Sequence, residues 1–261
     1  MSNRNAGFSL LELAVVVTVI SLIVGSILFG VAMIKNAQLQ SAMADIDIYT
    51  KAFQNFKDKY HELPGDFDSA ESFWGSDTAC PNTVYTVTPH TKTCNGNGDG
   101  RIGNHTDNST TDYEMFRAWQ QLSDAALIRP TFSGMSGTAN SYNSVIGINV
   151  PATQYPAGGF FVEYVHVSNF AADTTFFLAD YGHIIGLGAA TNGINDNPLL
   201  TPREAFMVDS KIDDGLPAFG NVLTTKSAVT PNCTTSDTAA VSRYNTGYTT
   251  AACNLLVITG F

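Results

Sequence analysis

The stretch Gly7-Phe8-Ser9-Leu10-Leu11-Glu12 opens onto residues 13–34, a run without a single charged side chain. The seven residues before Phe8 are polar, with Arg4 their only side-chain charge. The uncharged run has 22 positions, which as helix extend about 33 Å, enough to cross a hydrocarbon core of about 30 Å. A removable secretory signal has a shorter apolar region of about 7–15 residues, with a small-residue cleavage site directly after it. The nearest such site here, Ala42-Met43-Ala44, lies eight residues beyond Ile34. The run therefore reads as a membrane span.

Glu12 breaks the pattern. A carboxylate at mid-membrane costs about 3 kcal/mol on translocon scales and less near the interface. On residues alone two accounts stay open: an interfacial acid that reaches water, or an acid with a partner.

The hexapeptide resembles the prepilin processing motif of type IV pilins and type II secretion pseudopilins. In that family a prepilin peptidase cuts after the glycine and N-methylates the new first residue. The resemblance sets Gly7 at the end of a short basic leader, Phe8 as the new N-terminus and Glu12 fifth in the mature chain. It is close over roughly residues 1–60 and general in layout beyond. It implies a secondary ammonium on Phe8, cationic because amine pKa values lie near 8. It also implies a pairing of that ammonium with Glu12 of an adjacent subunit. Breaking one partner of such a buried pair typically costs about 3–5 kcal/mol, so the pair would act as a register device. Many pilins carry a proline midway along this segment, where this chain has Phe29 and no proline before Pro64.

Ser21 with Gly25, and Ser26 with Gly30, are small residues four apart, a spacing that lets helices approach closely in lipid. Beyond Lys35, the residues Leu39, Met43, Ile46, Tyr49, Phe53, Phe56 and Tyr60 recur every three or four positions, the stripe of an amphipathic helix. One helix is expected over residues 8–60, its first half in the membrane and its second half on a soluble head. The organisation expected is a leader over 1–7, the spanning and assembly half over 8–34, and a head over 35–261 that includes the amphipathic part to about residue 60.

Leu63-Pro64-Gly65-Asp66 punctuates the long helix. Thr111-Asp112-Tyr113-Glu114 is a capping box for a second helix, with Phe116, Trp119, Leu122, Ala126 and Leu127 on its expected buried face and Pro130 as its stop. Residues 160–167, 174–181 and 255–258 are strand candidates. Thr201-Pro202-Arg203-Glu204 opens a short helix over about 202–209. The fold class is α+β: the long helix packed on an antiparallel sheet of three or four strands with side helices.

Composition limits the function classes. The chain has 261 residues, 44% hydrophobic and 14% charged, with a net charge of -10, which argues against nucleic-acid binding through phosphate neutralisation and against docking on anionic lipid by a basic patch. Cys80 with Cys94 and Cys233 with Cys253 form two local pairs with no C-x-x-C spacing, read as disulfides in an oxidising compartment rather than a zinc ribbon.

Asn95-Gly96-Asn97-Gly98-Asp99-Gly100-Arg101-Ile102 follows the first half of an EF-hand calcium loop, with Asn95, Asn97 and Asp99 as candidate ligands. Its twelfth position is Thr106 rather than a bidentate Glu, so a glycine-rich turn held by Cys94 is the competing reading. Asp209, Asp213 and Asp214 form a second acidic cluster before Gly215, read either as a metal site or as an acidic helix end. His61, His90, His105, His166 and His183 lack metal-ligand spacing, and no nucleophile-elbow, P-loop or Rossmann motif occurs, so no catalytic residues are expected.

The resemblance thus implies a structural subunit of a type IV pilus or pseudopilus and no enzyme. Its partners would be other pilin subunits, the prepilin peptidase, the inner-membrane assembly platform and the bacterial inner membrane, with the head in the periplasm before the filament forms. No cofactor is required; calcium is the one ion the loops leave open. The alternative is a low-copy minor pilin or tip adhesin, a membrane-held binding module.

Overall fold

The computed structural model describes residues 9–78, 80, 91–103, 114–139, 142–165, 174–177 and 181–261. Helix α1 spans Leu10–Tyr60, 51 residues and about 76 Å long. It begins at the Ser9 cap and ends at His61, whose left-handed φ of 65° turns the chain while its N–H still donates to the Lys57 carbonyl. The residues after it are α2 (Ala70–Trp74), α3 (Glu114–Asp124), β1 (Gly158–Val165), β2 (Gly182–Ala189), α4 (Pro202–Ile212), β3 (Val222–Leu223) and β4 (Leu255–Ile258). The sheet order is β1-β2-β4-β3, and every neighbouring pair is antiparallel. The expected α+β layout, long helix plus small antiparallel sheet plus side helices, is the observed one.

The stripe read from the sequence is the face that packs. Leu39, Ile46, Phe53 and Phe56 are buried, and Met43, Tyr49 and Tyr60 are half-buried against the same core. Tyr49 meets the Trp119 ring of α3 and the Phe160 ring of β1 edge-on, each at 5.2 Å. Phe53 meets Trp119 edge-on at 5.5 Å and stacks on the chain-terminal Phe261 at 4.4 Å. Rings of this size remove the most apolar area per residue, so this junction fixes the head to the helix.

Three expectations change. First, of the candidate strand 174–181, residues 174–177 and 181 lie outside the ladder, and the strand is Gly182–Ala189 instead. A Cβ on Gly186 would fall 2.0 Å from Cζ of Phe161, so glycine is what lets that ring lie across the sheet. Second, α3 is buried on all sides, and Ala126 is exposed with φ of 59° in the turn that ends the helix before Pro130 is reached. Its polar side hydrogen-bonds inward: Gln121 Oε1 accepts from Gly65 N–H at 2.6 Å, and Gln121 Nε2 donates to the Cys94 carbonyl at 3.2 Å. Third, α4 runs three residues further than expected, to Ile212, while its Thr201/Glu204 capping box and Pro202 are as read. The strand candidate at 160–167 is β1, with residues 166 and 167 outside the described residues; 255–258 is β4.

Candidate functional site

The apolar half of α1 has no cover from its own chain. Among the described residues, the most apolar 18-residue window of α1 is 0% buried. Leu10, Leu22, Leu28 and Phe29 are each more than two-thirds exposed. A Cβ on Gly25 or Gly30 would meet nothing within 4 Å, so the small-residue spots are open faces. The Ser21 and Ser26 hydroxyls donate to their own helix, to the carbonyls of Val17 at 2.7 Å and Leu22 at 2.8 Å. These hydroxyls, like that of Thr18 on the Val15 carbonyl, are satisfied within the helix, which is what a helix in lipid or among like helices requires. At its start, Glu12 N–H donates to Ser9 Oγ and Ser9 N–H to Glu12 Oε2, a closed capping box. Gly7 and Phe8 lie outside the described residues.

A family model for the prokaryotic N-terminal methylation motif matches residues 2–28. The chain carries the type IV pilin and pseudopilin signature. No curated protein and no solved structure matches the chain. The match ends within the first part of α1, and the head lies beyond it; assembly with other pilin subunits and processing by a prepilin peptidase are what a motif of this kind implies. The motif belongs to a structural family, and the apolar helix that continues it fits membrane anchoring.

In the head, both cysteine pairs are disulfides, Cys80–Cys94 with Cα atoms 5.6 Å apart and Cys233–Cys253 with Cα atoms 4.9 Å apart. The Asn/Gly loop after Cys94 closes around two acids that the sequence reading did not single out for it. Asp66 accepts from Asp99 N–H at 3.0 Å and Gly100 N–H at 2.9 Å. Glu114, the first residue of α3, accepts from Asn97 N–H at 3.1 Å and Gly103 N–H at 2.7 Å. Burial raises the Asp66 carboxyl to about 6 against those N–H donors, with the Asp99 charge adding to the rise. Burial raises Glu114 to about 8, again against its N–H donors and with help from the charge on Asp66.

Of the three candidate ligands in this loop, the structure brings two together. Asn97 Nδ2 donates to Asp99 Oδ2 at 3.3 Å, and Asp99 N–H donates to Asn97 Oδ1 at 3.0 Å. Asn95 is turned away to α2: its Oδ1 accepts from Glu71 N–H at 2.8 Å and its own N–H donates to Glu71 Oε1 at 3.2 Å. Thr106 lies outside the described residues. Asp66 sits 33 residues from Asp99 in the chain, so only the fold could reveal that contact.

Asp209, Asp213 and Asp214 do converge, with one carboxylate oxygen from each lying within 4.8 Å of the others. Asp209 is buried, and its oxygens accept from Tyr244 Oη–H at 2.9 Å and Gly215 N–H at 3.1 Å. Asp213 accepts from the N–H groups of Asn221 and Val222, and Asp214 from Leu216 N–H at 2.7 Å. Burial raises the Asp209 carboxyl to about 6, opposed by its hydrogen bonds and reinforced by the two neighbouring carboxylates. Calcium takes 6–8 oxygens at 2.3–2.6 Å, so oxygens across one ion lie up to about 5 Å apart, a spacing this triad meets.

Proposed function

We propose that this chain is a structural subunit of a type IV pilus or a related pseudopilus. On this reading it is cleaved after Gly7, methylated on Phe8 and held in the inner membrane by residues 8–34, with residues 35–261 as a periplasmic head. It is then built into a filament by packing of its apolar half-helix, in contact with the assembly platform. The observation that carries the reading is continuity: the methylation motif at residues 2–28 runs into a 51-residue helix whose apolar part is bare among the described residues. Glu12 of one subunit pairs with the methylated Phe8 amine of the next and sets the stagger between them.

The test is where the protein goes and in what amount. Filaments sheared from cells that make the chain should contain it as a bulk component. A chain scarce in that material, and dispensable for filament mass, would instead be the low-copy tip module. A chain absent from it altogether contradicts the reading.

Within the same proposal, a calcium ion is assigned to Asp209, Asp213 and Asp214 ahead of Asn95, Asn97 and Asp99. The carboxylate triad supplies three charged oxygens at ion-compatible spacing, while Asn95 is committed to Glu71. The ion would there tie the C-terminal end of α4 to the turn at Gly215.

A further inference from the structure

A cleft of about 300 Å³ lies between α1 and α4, just past the end of the uncharged run. The Lys35 ammonium, 3.7 Å from Glu204 Oε1, ties the two helices at one end of it. Beyond that tie, Leu39 and Met43, one turn apart on α1, line the cleft opposite Val208 and Ile212, one turn apart on α4. Leu39 and Val208 are buried, whereas Met207 and Ile212 on the α4 wall are 41% and 53% exposed, so the gap opens outward. Four apolar residues around a gap make a hole of the kind that a side chain of another helix fills.

The chain itself carries matching knobs. Leu13, Val17, Ile20, Val24, Ile27, Val31 and Ile34 recur at alternating steps of four and three. All are branched aliphatics, and each is at least half exposed. That spacing keeps a ridge on one side of a helix and is the spacing at which helices interlock side by side. Ser26 and Met33 stand on the opposite side of the same stretch. Away from a bilayer an apolar surface of this extent needs a protein cover. Among the described residues, the chain's own head leaves it bare.

We infer that the cleft between α1 and α4 receives the branched-aliphatic ridge of a second copy of this chain, so that the head of one subunit grips the bare half-helix of another. This deepens the filament reading above and rests on it. Continuity selects the occupant. The cleft begins at Asn36, two residues beyond the end of the chain's own bare ridge, and a motif of this kind implies assembly with other pilin subunits. Position argues against an acyl chain: Leu39 and Met43 lie about 8 and 14 Å past Ile34, outside the hydrocarbon that a span on residues 13–34 fills. The ridge also brings no charge into the gap, so Lys211 at the exposed rim keeps its water.

The grip has a geometric consequence. With both copies in the same orientation, seating any ridge residue from Val17 to Val31 beside Leu39 or Met43 displaces the gripped copy toward the head end by about 12–39 Å. The proposed pairing of Glu12 with the Phe8 amine joins positions four apart, about 6 Å of rise and short of that range. The two contacts therefore fall on different neighbours, and each subunit is held by more than one other copy.

The experiment uses the full chain in sheared filaments, with the photo-reactive residue p-benzoylphenylalanine at position 207, irradiated and read by mass analysis of the captured peptide. Expected is a dimer band in which the second chain is attached within residues 17–31. The same probe at position 212 is the second reporter should the first chain not fold. The reciprocal probe at position 24 should capture the cleft walls of another copy, and at position 26, on the opposite side of the helix, it should not. Capture of lipid, of the same chain only, or of another copy's head by the probes at 207 and 212 overturns the grip while the filament reading stands. Equal capture of the cleft walls from positions 24 and 26 also overturns it, because the ridge then has no preferred side. Absence of the unsubstituted chain from the filaments overturns the filament reading, and the grip falls with it.

Discussion

Ser9 and Glu12 close a reciprocal box at the start of α1, with Glu12 N–H on Ser9 Oγ at 3.2 Å and Ser9 N–H on Glu12 Oε2 at 2.9 Å. The acid thus has a local task in the single chain as well as the inter-subunit pairing proposed for it. A capping box satisfies orphan N–H groups at the helix start, where apolar surroundings would otherwise leave them without water. The two tasks separate by substitution. Glu12→Gln keeps an acceptor for the box and removes the charge, so normal cleavage with loss from sheared filaments is expected. Ser9→Ala removes the cap at a cost of about 1 kcal/mol and should still assemble. Equal incorporation of both variants would remove Glu12 from the register role.

The buried acids make the head prefer mildly acid solution. The folded pKa of Asp66, about 6, and of Glu114, about 8, both lie above ordinary carboxyl values. Such groups add stability below their unfolded pKa, near 4, and that contribution is lost as pH rises through the folded values. His183, lowered to about 4 mainly by burial, acts in the opposite sense, and its contribution is lost as pH falls from about 6.5 toward 4. Between pH 4 and 6 the two acids outweigh the one histidine, so on these groups thermal melting should be highest near pH 4 and decline toward pH 8. Glu114→Gln should flatten that decline; an unchanged slope would contradict the assignment.

Calcium should act through the C-terminal triad. At ten times the dissociation constant a bound ion adds about 1.4 kcal/mol, a melting shift of a few degrees for a chain of this size. The shift should vanish in Asp213→Asn/Asp214→Asn and persist in Asn97→Ala. No shift at millimolar calcium retires the ion.

Cys233 and Cys253 are both fully buried and 20 residues apart, and their bridge fastens the turn before β4 to the 224–233 segment. Replacing both by serine should cost roughly 3 kcal/mol from the chain-entropy argument alone, read as a melting temperature lower by roughly 6–12 °C. A loss below one degree would mean that packing around β4 carries the turn unaided.

Gly186→Ala tests the sheet. Its new Cβ would sit on the Phe161 ring, so a loss of about 1–3 kcal/mol in denaturant unfolding is expected, largely recovered when Phe161→Leu is added. Independent, additive effects would show that the contact is not the cause.

The parts legible in the sequence are those written in local spacing. The uncharged run, the stripe from Leu39 to Tyr60 and the Thr201/Glu204 box each occupy consecutive turns of one helix, and each was found where expected. Strand β2 was not legible, because Gly182, Gly186 and Gly188 dilute its β signal while the aromatic stretch just before it carries a stronger one. The acids under the Asn loop were hidden for a different reason. Asp66 read as turn punctuation and Glu114 as a helix cap, and their loop contacts join residues 33 and 17 positions apart. Pairing at that distance has no periodicity to betray it.

Intact-mass analysis of the N-terminal peptide from the mature protein tests the central claim most directly. The account predicts a chain that begins at Phe8 and carries one added methyl group. A mature chain that retains residues 1–7, or begins at an unmodified residue elsewhere, contradicts it.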